Sequence, residues 1–125
     1  MPNLTDPTKY QPNLAPGWVY GIECKPYIKI GVAKDLAVRL NTMRLHNPHP
    51  CTIVFRRLTV APYYFEAKMH EILQHQAVGR EWFSTTVQEM KVAAKAAGEH
   101  ARAIWQKRLR DEIEWDAQPF WRILR

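Results

Sequence analysis

Residues 17–31 read Gly-Trp-Val-Tyr-Gly-Ile-Glu-Cys-Lys-Pro-Tyr-Ile-Lys-Ile-Gly, and the rest of the chain is organised around them. Two β-rich runs, Trp18 to Ile22 and Tyr27 to Val32, flank a break at Cys24, Lys25 and Pro26. Period-2 runs with a proline-bearing break between them predict an antiparallel hairpin. Alternation puts Trp18, Tyr20 and Ile22 on one face of the first strand. Ile28, Ile30 and Val32 form the apolar set of the second, so Tyr27 and Lys29 share its opposite face. An aromatic hydroxyl and an ammonium are costly to bury without partners. On this stretch alone an ordinary amphipathic hairpin with a solvated lysine competes with a functional reading.

The segments on either side supply the context. Residues 1–16 carry Pro2, Pro7, Pro12 and Pro16 among Asn, Thr and Gln without apolar periodicity, which predicts an extended or disordered arm. After the hairpin, Asp35 is placed to cap a helix over 36–46, stopped by Asn47-Pro48. Its apolar stripe is Leu36, Leu40 and Met43, and Arg39 falls in that stripe. Thr52 to Val60 predicts a third strand, with Arg56 and Arg57 in its middle. Ala61-Pro62 then opens a second helix to about Gln76, closed by Gly79. Phe65, Met69, Ile72 and Leu73 form its core side, with Glu66 and His70 one turn apart beside them. Two successive helices thus each set a charged residue beside an apolar stripe. Such breaks in binary pattern concentrate at functional sites.

Gly79-Arg80-Glu81-Trp82-Phe83 is a compact segment whose aromatics should seal the core. Thr85 and Gln88 have capping-box spacing ahead of a helix over 86–97. Gly98 predicts a break or kink, followed by a last helix to about Trp115 with the stripe Ala101, Trp105, Leu109 and Ile113. Gln118-Pro119 ends it, leaving the tail Phe120 to Arg125. The domains so defined are the arm 1–16, a domain over 17–85 and a helical extension over 86–125. The extension is expected either to pack on the domain or to pair in a homodimer.

Composition narrows the function classes. A chain of 125 residues fits one domain with a single core. The net charge of +6 and a pI near 9.6 favour a polyanionic partner, nucleic acid first. Two cysteines do not make a disulfide framework, and reduced thiols in a cytosolic setting are the simpler reading. There is no signal-peptide pattern and no apolar run of membrane-spanning length, so a cytoplasmic protein off the membrane is expected.

In order and spacing, Val19-Tyr20, Lys29-Ile30-Gly31, Arg39, Glu66 with His70, and Glu81-Trp82-Phe83 resemble the GIY-YIG nuclease superfamily. The small phage-type branch, whose second motif reads Lys-Ile-Gly, is the nearest likeness, and the match covers 17–84. The resemblance implies an α+β fold, a three-stranded antiparallel sheet flanked by helices. It also implies a DNA endonuclease that hydrolyses phosphodiesters with one divalent ion, Mg²⁺ or Mn²⁺. Tyr20 matches the tyrosine that acts as, or supports, the general base. Arg39 matches the arginine that holds the scissile phosphate, and Glu66 the glutamate that binds the metal. Lys29 stands where the second motif usually has tyrosine, and Trp18-Val19 replaces the first motif's Gly-Ile.

The residue chemistry is compatible with this. One carboxylate suffices for a Mg²⁺ that keeps its waters and binds substrate phosphate. An arginine fork fits phosphate oxygens. A tyrosine of ordinary pKa, about 10, is a poor base, and a neighbouring ammonium such as Lys29 would lower it. His70 is placed to orient Glu66 or relay a proton. Lys34, Arg44, Arg56 and Arg57 are candidates for phosphate contacts outside the site.

Simpler readings stand beside these. Arg39 and Glu66 could pair as a structural ion pair. A module that binds nucleic acid without turnover, or a protein-interaction domain docking through its C-terminal helices, would use the same fold. His70, Glu71 and His75 miss the i, i+4 spacing of a zinc-protease helix by one residue. His46, His49 and Cys51 are interrupted by prolines and read as loop residues.

Overall fold

The computed structural model describes residues 16–59 and 61–116, except for the side chains at 105 and 108–116. The arm 1–15, residue 60, the tail from 117 and the stripe side chains Trp105, Leu109 and Ile113 lie outside the described residues. The elements are β1 (Gly17–Cys24), β2 (Tyr27–Ala33), α1 (Leu36–His46), β3 (Cys51–Thr59), α2 (Pro62–Ile72), β4 (Trp82–Phe83) and α3 (Val87–Asp116).

The hairpin forms as its alternation predicts, with Cys24 paired to Tyr27 beside a two-residue turn. It does not make a three-stranded sheet. The sheet has four strands in the order β3-β1-β2-β4, all pairs antiparallel. The additional strand is the Trp82–Phe83 pair, which lies against Ile28 and Lys29 of β2. Two residues are too few to carry a period-2 signal, so the sequence shows this segment only as an aromatic seal.

β1 is central, and both its faces are covered. Tyr20 and Ile22 pack with Leu36 and Met43 of α1, whereas Val19 packs with Phe65, Met69 and Met90 of α2 and α3. Alternation along one strand therefore feeds two cores. Asp35 caps α1 by accepting a hydrogen bond from the Val38 amide at 3.1 Å.

Two helix boundaries differ from expectation. α2 ends at Ile72, and Gln74–Gln76 forms a 3₁₀ turn in place of a continued helix. α3 runs unbroken from 87 to 116, straight through Gly98. Gly98 is there for close approach: a Cβ would stand 2.6 Å from Arg57 Nη1 and 3.3 Å from the Phe65 ring. Met90, Ala93, Ala94, Ala97 and Ala101 line the same buried side of α3. Small side chains at helical spacing let the helix axis come close to its neighbours. Its cap is set one residue later than the spacing of Thr85 and Gln88 indicates. Thr86 Oγ1 accepts from the Glu89 amide at 3.1 Å.

Candidate active site

The site lies on the outer edge of β2, just past the end of β4. Within a strand, a residue's N–H and C=O point to the same edge. At Ile30 both point away from β1. Its amide donates to the Glu81 carbonyl at 2.9 Å, and its carbonyl accepts from His70 Nε2 at 2.9 Å. Groups from both faces of the sheet come within electrostatic range of one another around this edge.

From the α1 face come Tyr20 and Lys29. Tyr20 is 1% exposed and stands opposite Gly31 across the hairpin. A Cβ on Gly31 would lie 2.5 Å from the phenol oxygen, so glycine is what leaves room for the ring. Lys29 extends along the same face, its Nζ 3.5 Å from Glu81 Oε2 and 5.8 Å from the centre of the Trp82 ring. Arg39 is exposed on α1, and its charge acts on the Tyr20 hydroxyl.

From the α2 side come Glu66 and His70. Glu66 Oε1 lies 3.6 Å from His70 Nε2, too long for a direct hydrogen bond, because that nitrogen serves the Ile30 carbonyl. The His70 ring sits 5.0 Å from that of Phe83. The geometry therefore gives His70 the task of tying α2 to β2, with Glu66 beside it. Among the described residues Arg39 makes no ion pair with Glu66.

Electrostatics ties these groups into one cluster. Burial pushes the Glu66 carboxyl up to about 7; the Glu81 charge adds to the rise and Lys29 opposes it. Burial pushes the Tyr20 phenol up to about 12, with Arg39 opposing and Glu81 and Glu66 adding. The cation acting on the phenol is thus Arg39, where the sequence pointed to Lys29.

Glu81 was missing from the sequence-derived site. The segment Glu81-Trp82-Phe83 carries part of the resemblance, but without a role for Glu81. Of the outlying cations, Arg56 lies across from Tyr20 and is exposed, whereas Arg57 turns to the other face and covers the Phe65 ring at 5.4 Å. Arg44 donates from Nε to the Cys51 carbonyl at 3.3 Å, and Lys34 is exposed just beyond β2.

Glu66 is the carboxyl here that could hold a hard cation. Among the described residues no group of three or more His, Cys, Asp or Glu stands together. A half-buried carboxyl that resists ionisation, with a second carboxylate acting on it, gains from a positive charge placed alongside. Mg²⁺ asks for no more than one or two such carboxylates from the protein.

An antiparallel sheet flanked by helices agrees in outline with GIY-YIG-like nuclease folds. The chain matches the T5orf172 domain over residues 17–98 and belongs to that family. This domain type is associated with GIY-YIG-like nuclease folds. No curated protein and no solved structure matches the chain. Among the described residues, no helix is long and apolar enough to cross a membrane.

Proposed function

We propose that the protein is a divalent-metal-dependent endonuclease that hydrolyses phosphodiester bonds in DNA. The observation that carries this reading is convergence. Tyr20, Lys29, Arg39, Glu66 and Glu81 come from separate elements, yet Arg39, Glu81 and Glu66 act on the Tyr20 hydroxyl, and Glu81 and Lys29 act on Glu66.

In this reading the exposed Arg39 receives the scissile phosphate, its fork matching two oxygens beside the Tyr20 hydroxyl. Tyr20 remains protonated at neutral pH, which favours the assisting role over that of proton acceptor. Its fixed hydroxyl orients the attacking water or a phosphate oxygen. Glu66 is the residue that would hold Mg²⁺ or Mn²⁺, and the ion supplies charge that acidifies water and offsets the phosphate. Lys29 adds positive charge to a site that must accept a polyanion.

Supercoiled plasmid incubated with Mg²⁺ or Mn²⁺ tests this. Conversion to nicked or linear forms, abolished by chelator and by Glu66→Gln, is the expected result. Metal-independent binding without cleavage would favour the second reading, a nucleic-acid-binding module. That reading draws support from the buried phenol, which resists ionisation.

A further inference from the structure

We propose that Glu81 and Trp82 form a clamp that positions the Lys29 ammonium at the site. The proposed chemistry gives neither residue a task of its own, and the inference rests on the nuclease reading only for what the positioned lysine does.

Lysine is a compact charge on a flexible four-carbon stem, and holding it in one place costs rotamer freedom. Two adjacent residues of one segment bear on it here. Lys29 and Trp82 are direct cross-strand partners, so their side chains leave the sheet on the same face. The ammonium lies 5.8 Å from the centre of the indole ring, within the range of cation–π attraction. Glu81 Oε2 lies 3.5 Å from the same ammonium. Its own backbone is fixed, because its carbonyl accepts from the Ile30 amide at 2.9 Å.

A purely structural pair is a poor account of this arrangement. The Glu81 side chain is 42% exposed, and an exposed ion pair of that kind contributes little to folding. Phe83, 1% exposed, packs into the core on the opposite face, and the partly buried Trp82 packs against the α1-side core while its ring faces the ammonium. The segment thus divides its work. Phe83 anchors it, Trp82 gives the ammonium a surface to lie on, and Glu81 sets how far it reaches.

What the clamp aims at is the pair of groups that need a counter-charge, Glu66 and the incoming phosphate. Glu81 and Trp82 are therefore positioning residues, acting through Lys29.

Two measurements test this, the first independent of catalysis. In ¹³C-labelled protein the Lys29 Hε resonances should be shifted upfield by the Trp82 ring current. Glu81→Gln should move them toward free-lysine values, and Trp82→Leu should abolish the shift. Lys29 Hε signals at free-lysine positions in the parent, or unmoved by Glu81→Gln, would overturn the clamp. The second is a double-mutant cycle on plasmid cleavage. Glu81→Gln and Lys29→Met should each lower kcat, on the order of a hundredfold for a displaced group. The double variant should be no worse than Lys29→Met alone, with Glu81→Asp recovering part of the loss. Additive losses would show that Glu81 acts without Lys29 and overturn the proposal. If the parent protein does not cut, the nuclease reading fails by itself, and the ring-current measurement still decides the clamp.

Discussion

The phenol ring of Tyr20 lies across the bare Cα of Gly31, so closely that a methyl group there would meet the hydroxyl oxygen at 2.5 Å and its ring carbon at 2.8 Å. The glycine is a spatial requirement of the tyrosine opposite. Gly31→Ala should therefore displace the Tyr20 hydroxyl without unmaking the sheet. A loss of about 1–3 kcal/mol is expected from overpacking, together with a disproportionate fall in cleavage. Thermal melts beside cleavage rates check this, and a variant as active as the parent would show that the hydroxyl has no fixed task.

Tyr20→Phe is the complementary change. It leaves the ring in its pocket and deletes only the oxygen, so the fold should persist while most activity disappears. A melting temperature near that of the parent, combined with DNA affinity near that of the parent, would assign the loss to chemistry.

Glu66 should make stability depend on pH in a direction opposite to that of a salt-bridged carboxylate. Its folded pKa, about 7, lies above the ordinary value of 4.5. Below pH 4.5 both folded and unfolded chains hold the proton. Between 4.5 and 7 the unfolded chain releases it first, so stability falls as pH rises, and above 7 the loss is complete. The shift corresponds to roughly 3 kcal/mol. Glu66→Gln should accordingly raise the melting temperature at pH 8 and change it little at pH 4. Mg²⁺ should stabilise the parent at pH 8 and leave the variant unmoved. A large destabilisation of the variant at pH 8 would instead mean that Glu66 is the partner of a buried cation.

Arg56 and Arg57 should separate, although they are neighbours in sequence. Arg56 is exposed on the Tyr20 face, and Arg56→Ala should flatten the salt dependence of DNA binding with no effect on melting. Arg57 covers Phe65 and stands against Gly98, and Arg57→Ala should lower the melting temperature by removing packing as well as charge. Equal effects of the two substitutions on the salt slope would contradict this division.

The hairpin, α1 and the placement of Glu66 beside an apolar stripe were legible because each rests on a repeating local period. Asp35, Leu36, Leu40 and Met43 announce a helix through spacing alone. β4 was not legible, since its existence depends on Lys29 and Ile28 lying alongside, a contact between distant segments. The same holds for Glu81, whose meaning comes from Lys29 and Glu66 and not from its neighbours in the chain. Gly98 misled for a related reason. Its local preference argues for a break, but Arg57 and Phe65 fill the space its missing side chain leaves, and tertiary packing prevails over propensity. His70 was placed correctly beside Glu66, yet its ring nitrogen goes to the Ile30 carbonyl, a partner no spacing rule can show.

The two outward-facing peptide groups of Ile30 have a kinetic consequence. One is held by the segment that carries Glu81, the other by the helix that carries Glu66. The Ile30 amide cannot exchange its hydrogen with solvent until the Glu81 segment lifts away from β2. Its exchange rate therefore counts how often the assembled site comes apart, separately from how often the whole domain unfolds. Protection at Ile30 well below that of Val19 and Ile22 in the central strand would mark the site as a structure that opens and re-forms on its own clock, in a domain that otherwise stays closed.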